Sequence, residues 1–382
     1  MRTAKEMVAM TERPDAMPYG KHPKQLVRDA RWFNSGPPPE LLRDHAVTPT
    51  ELFFTRNHGA VPSVDPAGYR LTVDGLVDRP LSLSLEQLRR DYPVETVPAT
   101  ISCAGLRRDE LIAVRPIPGE VVWGAEPVSN GVWRGVSLAR VLETAGIRPE
   151  ARHAAFTGLD EIEREGKRFG FGGSIPLSKA MAEETLLAWE MNGAPLPPVH
   201  GFPLRVIVPG YIGARSVKWV TNIHLQTTPT TNYFQSHAYR MFPPEVDATS
   251  VVWEQGVALS DMPLNSVIWS PQTEARLQQG RVSVSGWACA NGGRTIERVE
   301  ASADGGASWH YAQLSKVGDP WSWTLWQLEL NLPAGNHVLT ARAWDSEGNT
   351  QPEDPRPLWN FKGYMNNAWH RVRVTVEGPS TK

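Results

Sequence analysis

The sequence predicts an α+β domain followed by an all-β sandwich of immunoglobulin type, and three observations carry that prediction. Up to about residue 245, stretches with strand alternation and stretches with helix caps are mixed without a regular βαβ repeat. Beyond about residue 245, short alternating stretches recur at roughly ten-residue spacing with turn residues between them. At 382 residues, the chain also exceeds one ordinary core.

Taken in order, residues 1–50 read as an N-terminal arm. Gly36-Pro37-Pro38-Pro39 interrupts regular structure, and Glu40 to Asp44 allows at most one helical turn. Residues 51–245 form the predicted α+β domain. Phe53 to His58 reads as a strand running into a polar loop, and Tyr69 to Gly75 alternates as a half-buried strand does. Ser84 and Gln87 have capping-box spacing for a helix through Arg90. A strand over Thr96 to Ile101 leads into a loop at Cys103, and Ser137 to Leu142 begins a helix stopped by Gly146. Ser178 is placed to cap a helix through Glu184. Leu204 to Gly210 reads as a buried strand, followed by a glycine- and cation-bearing loop to Lys218. Residues 246–382 form the predicted sandwich, with strands over Arg281–Ala288, Val299–Gly306, Trp321–Leu330 and His337–Trp344. Asp304-Gly305-Gly306 supplies a hairpin turn signal.

With 41% hydrophobic and 21% charged residues and a net charge of −2, the chain lacks the basic excess that draws nucleic acid or anionic membranes. No apolar run is long enough for a transmembrane helix, and Met1 to Arg31 shows neither an apolar signal core nor a twin-arginine pair. The two cysteines, Cys103 and Cys289, lie far apart in the sequence, which excludes a disulfide framework. A cytoplasmic setting is expected, or a periplasmic one if a signal segment has been removed.

The stretch with the most chemistry is Thr100-Ile101-Ser102-Cys103-Ala104-Gly105-Leu106-Arg107-Arg108. A thiolate is a soft metal ligand, and adjacent guanidiniums lower its pKa and hold an oxyanion beside it. A lone cysteine is also a common small core residue, and the two arginines alone could be a solvated pair. Four more clusters bear on the choice: Arg56-Asn57-His58, Trp123 to Trp133, His200 to Lys218, and Trp359 to Gly363. Their Arg, His, Lys and glycine content suits a phosphate or other oxyanion. No serine-nucleophile elbow, paired-cysteine zinc spacing, phosphate-binding P-loop or dinucleotide fingerprint is present.

Together these residues resemble the sulfite oxidase family of molybdenum–molybdopterin enzymes. The resemblance rests on Phe53 to His58, Cys103 to Arg108, Val199 to Arg205, Pro209 to Trp219 and Asn366 to Val372, which follow one another in family order. It implies a molybdopterin-binding domain followed by an immunoglobulin-like dimerisation domain, and so a homodimer. It further implies that Cys103 is the metal ligand. The pterin and its phosphate would be held by Phe54, Thr55, Arg56, Asn57, His58, Cys103, Asp160, His200, Arg205, Ser216, Val217 and Lys218. Arg56, Arg108, Trp123, Tyr239 and Lys362 would bind substrate, with Cys103, Arg56 and Tyr239 catalytic.

The implied reaction is oxidation of sulfite to sulfate by oxygen-atom transfer. Because no haem-binding segment is recognised, the electrons would pass to an external acceptor, a cytochrome or oxygen. The alternative is a same-family reductase acting on nitrate or another S- or N-oxide, against which the cation at Lys362 argues. Three positions depart from the family pattern. Leu106 replaces a common Asn, Lys362 replaces the arginine of animal relatives, and Tyr364 stands where a small apolar residue is common. Arg107 receives no role from the resemblance.

Overall fold

Two sheets build the first domain. In the computed structural model, which describes residues 17–164, 166–315 and 319–379, one sheet runs in the order Gly172–Pro176, His153–Gly158, Val220–Gln226, Leu71–Gly75, Leu81–Leu83. Its only parallel neighbours are Val220–Gln226 and Leu71–Gly75. The other sheet runs Ala194–Pro195, Leu186–Met191, Val128–Ser137, Glu95–Ser102, with Arg205–Ile207 also paired to Leu186–Met191. The main core takes alternate residues from these strands, such as Leu71 and Val73, and one face of the helices Leu85–Asp91 and Leu138–Ala145. The capping box forms as expected: Gln87 N donates to Ser84 Oγ at 3.1 Å, and Ser84 N donates to Gln87 Oε1 at 2.9 Å. Among the described residues no helix is long and apolar enough to cross a membrane.

Three local expectations are corrected. Phe53 to His58 is not a strand, because Phe53 and Phe54 are both buried and only Thr55 makes a bridge, to Ser35. The helix after Pro176 spans only Leu177–Ala180, with Pro176 at its N-cap and Ser178 inside it. Residues 17–50 are no free arm. They include a hairpin of Leu26–Asp29 with Asn34–Gly36, and Asn34, Ser35 and Thr48 are completely buried. Polar side chains buried this way must be hydrogen-bonded in place, and Asn57 N donates to Asn34 Oδ1 at 2.5 Å. The remaining arm residues, 1–16, and the C-terminal residues 380–382 lie outside the described residues.

The second domain is a sandwich of two sheets. One holds Asn265–Ser270, Gly280–Cys289, Thr324–Leu332 and Gln313–Leu314; the other holds Ala275–Gln278, His370–Glu377, Gly335–Asp345, Ile296–Ser302 and His310–Tyr311. Period-two alternation places Val282, Val284, Leu328 and Leu330 between the sheets.

The two domains share a third apolar core. Ala104, Leu106 and Tyr239 of the first pack with Trp269, Trp287, Trp323 and Tyr364 of the second. Polar contacts run alongside. Thr100 N donates to Trp321 O at 2.9 Å, and Met365 N donates to Ala104 O at 2.8 Å. Trp323 N donates to Thr100 Oγ1 at 2.8 Å. Arg107 binds Glu110 through Nε and Nη2, both at 2.7 Å, and reaches Asn265 Oδ1 at 3.0 Å. Arg107 is thereby a strut between domains.

His370 belongs to the same junction. Its Nδ1 accepts from Ile268 N at 3.0 Å, and its Nε2 lies 3.7 Å from Glu110. Burial, reinforced by Arg107 and opposed by Glu110, lowers its pKa to about 3. The unfolded chain therefore binds this proton first on acidification. Stability held above the ordinary histidine pKa of about 6.5 is lost as pH falls toward 3, at no more than about 1.4 kcal/mol per pH unit. Urea unfolding between pH 6.5 and 5 is expected to show a steeper loss in the unmodified protein than in His370→Gln; equal slopes would remove this account.

Candidate functional site

The strand Glu95–Ser102 delivers Cys103 into a tight turn. Cys103 N donates to Pro127 O at 2.9 Å, Leu106 N donates to Cys103 O at 3.0 Å, and the Gly105 N–H faces Sγ at 3.5 Å. Arg107 closes the turn in the left-handed region, at φ +59°, and the helix Arg108–Val114 begins. Arg108 folds back over the turn. A Cβ at Gly105 would come within 2.6 Å of its Nη2, and one at Gly363 within 2.6 Å of its Cγ. These two glycines make the slot in which the buried guanidinium lies, donating to Gly363 O at 3.1 Å and Val121 O at 2.8 Å.

Cys103 opens on a pocket with about 730 Å³ of space between its atoms, part of it open to solvent. Its wall brings together Phe54, Thr55, Arg56, Asn57, His58, Asp160, His200, Arg205, Ser216, Lys218 and Tyr239 from segments far apart in the chain. Four residues expected at the site are not in this wall. Val217 turns its side chain into the main core and its carbonyl accepts from Val206 N. Trp123 is fully buried in the apolar cluster that contains Cys103. Lys362 forms an ion pair with Glu120, and Arg108 lies 3.7 Å from the same carboxylate. The sequence reading missed Glu120, and it missed Lys21, whose ammonium is inserted between the Thr50 and Phe53 carbonyls and His200 at 2.8, 2.7 and 2.5 Å.

Cations dominate the pocket electrostatics. Arg205 donates to His200 O at 2.9 Å and Ser216 O at 3.2 Å, while its Nε is buried without a partner among the described residues. Burial lowers its pKa to about 9. Lys218 donates to Val199 O at 3.0 Å and Arg56 O at 3.2 Å and also to Asn57 Oδ1. Burial first, then Arg205, pushes its pKa well down against the pull of Asp160. His200 is held neutral by burial and by Lys21, Lys218 and Arg205. Such a set favours an anionic group that relieves the mutual repulsion. Nearer Cys103, burial and Arg56 keep His58 neutral, and its Nε2 lies 2.8 Å from the Tyr239 hydroxyl. Burial pushes the Tyr239 phenol up to about 12, with Arg56 the main opposing charge, so it keeps its proton.

The cysteines converge in space. Cys103 and Cys289 both line a small cavity between the domains, behind the main pocket. They remain free thiols, and burial raises the Cys289 pKa to about 12, so that thiol keeps its proton. Among the described residues no group of three or more His, Cys, Asp and Glu could hold a metal alone.

Two family models match the chain, an oxidoreductase molybdopterin binding domain over residues 58–234 and a Mo-co oxidoreductase dimerisation domain over residues 257–377. The chain is 41% identical over 361 residues to sulfite oxidase of Gallus gallus, covering 92% of this chain and 78% of that protein. It is 37% identical over 385 residues to inducible nitrate reductase [NADH] 2 of Glycine max, covering 94% of this chain and 42% of that one. The solved structure of the sulfane dehydrogenase SoxCD from Paracoccus pantotrophus superposes with a TM-score of 0.80 at 27% identity, over 96% of this chain and 94% of that one.

Lys21 lies ahead of both matched segments and still forms part of the structure around His200. Burial lowers its pKa to about 7. Removing the amine in Lys21→Ala strands two buried carbonyls and the His200 nitrogen, at an expected cost of about 1–3 kcal/mol. Chemical denaturation would measure this; a variant as stable as the parent would show that water replaces the amine freely.

Proposed function

Because the chain belongs to the sulfite oxidase family of molybdopterin oxidoreductases, we propose that it is a molybdenum-dependent enzyme that oxidises sulfite to sulfate. Electrons pass to a separate acceptor, a cytochrome or oxygen, and the protein acts as a homodimer through its second domain. The observation that carries this reading is one thiol, Cys103, opening on a pocket whose wall is cationic, with Arg108 of the following helix and Lys362 of the second domain both contacting Glu120 nearby.

The residues fit the cofactor. A single protein thiolate suits a metal whose other ligands come with the cofactor, and the unpartnered Nε of Arg205 gives its phosphate a buried donor. Cys103 would ligate molybdenum. Phe54 to His58, Asp160, His200, Arg205, Ser216 and Lys218 would hold the pterin and its phosphate, with Val217 contributing backbone only. When bound, the molybdenum cofactor supplies two-electron oxygen-atom transfer.

The chain's own contribution is electrostatic. Arg56, Arg108 and Lys362 neutralise the substrate oxyanion, in a setting where Arg108 is desolvated and cannot reorient. Tyr239 keeps its proton and donates a hydrogen bond to a substrate oxygen, oriented by neutral His58. Trp123 gives an apolar, water-excluding backing to this region. Arg107 positions the loop and touches no substrate. Sulfite bears up to two negative charges and nitrate one, so three cations favour sulfite over the nitrate chemistry of the soybean relative.

Metal analysis of the purified protein, with sulfite-dependent and nitrate-dependent assays run side by side, tests the proposal. Molybdenum and a sulfite-dependent reduction of an artificial acceptor are expected; faster turnover with nitrate would reverse the choice. Cys103→Ser is expected to lose at least about 100-fold in activity, the scale of a lost ligand, and full activity in that variant would exclude the thiolate role. Lys362→Arg restores a bidentate donor and is expected to lower KM for sulfite by about three- to tenfold. An unchanged or raised KM would take Lys362 out of the substrate site.

A further inference from the structure

Glu120 takes no part in the proposed chemistry, yet its carboxylate engages two of the three cations assigned to substrate. Its carboxylate pairs with Lys362 and lies 3.7 Å from Arg108 Nη2, with 15% of its side chain exposed. It is also near enough to Arg56, Tyr239 and Tyr364 to affect the ionisation of each. Arg56 and Tyr239 line the pocket with Cys103, Tyr364 stacks on Tyr239, and Arg108 lies over the Tyr364 ring, so Glu120 and its two cations border the edge of the pocket where an oxyanion would enter.

The local backbone lets it leave. Glu120 follows Gly119, which has φ +80° and nothing within 4 Å of where a Cβ would stand, and nearby Val122 is 51% exposed. The carboxylate can swing toward solvent without opening the packed core. The cations cannot follow easily, because Arg108 is held between Gly105 and Gly363. Without any anion, Lys362 and Arg108 would sit side by side in a partly desolvated site with their charges uncompensated, an unfavourable arrangement.

We propose that Glu120 is an internal competitor for the substrate anion, holding Lys362 and Arg108 until an incoming oxyanion displaces its carboxylate. This rests on the assignment of Lys362 and Arg108 to the substrate. The affinity of the site for any anion is then the intrinsic affinity of the cations, reduced by a single factor for displacing Glu120. Substrate and product pay the same factor, so removing the carboxylate tightens both together. The change appears in KM rather than in kcat.

The test is Glu120→Gln in the holoenzyme, which keeps size and hydrogen bonding and removes the charge. KM for sulfite and the inhibition constant of sulfate are both expected to fall by a similar factor of about ten, the scale of one hydrogen bond to a charged group. Glu120→Ala is expected to move both constants the same way. The rise in melting temperature produced by added sulfate reads binding without turnover, and it should be larger in the variants than in the parent. Constants that stay unchanged or rise in both variants would overturn the proposal, since Glu120 would then be holding the cations in position for substrate. If no variant oxidises sulfite but sulfate still protects the variants more strongly, the competitor stands and the sulfite assignment fails.

Discussion

The buried guanidinium of Arg107 is the constraint on which the site depends. It is fully buried, and a charge in that position requires fixed partners on every side. Glu110 supplies two of them from the following helix, and Asn265 supplies another from the second domain. Asn366 then binds the Arg107 carbonyl at 2.9 Å and Glu110 at 3.1 Å. The left-handed backbone at Arg107, unusual for a residue with a side chain, is stabilised by this network. Cys103 precedes it by one turn, and Arg108 follows it directly. The Cys103 thiol and the Arg108 guanidinium are thus aimed by a residue that does not itself line the pocket.

Around this strut the pocket holds charge under strain. Arg205, Lys218, His200 and Lys21 are all desolvated, and burial is the leading cause that lowers the pKa of each. Asp160 is the one carboxylate in the pocket wall among the described residues. An anionic group entering this environment would relieve repulsion already present. Arg108 and Lys362 are placed differently, since they already have a carboxylate partner in Glu120. The first group lacks a matching anion, and the second shares one carboxylate between two cations.

Much of this was legible in the sequence, and the limits have physical causes. The thiol, the adjacent arginine and the His200 to Lys218 donors are local patterns, so their clustering could be read along the chain. The sandwich strands were legible because a two-sheet core imposes period-two alternation on Gly280–Cys289 and Thr324–Leu332. Lys21 was not, because its partner His200 lies 179 residues away and nothing beside Lys21 signals the contact. Glu120 lies 242 residues from Lys362 and was hidden for the same reason. Val217 was over-read: it stands between Ser216 and Lys218 in the sequence, but its side chain lies in the main core. Phe53 to His58 has strand-forming residue types, but burial of both phenylalanines left a ladder no place to form.

The junction between the domains bears on how such proteins can be rearranged over evolutionary time. A second domain joined only by a linker could be exchanged, lost or duplicated independently of the first. Here the backbone of Met365 is hydrogen-bonded to Ala104, next to Cys103, and Trp323 is hydrogen-bonded to Thr100 on the strand that delivers the thiol. Transplanting the first domain alone would leave that loop without its other half. The two domains therefore form one structural unit at the seam between Ala104 and Met365.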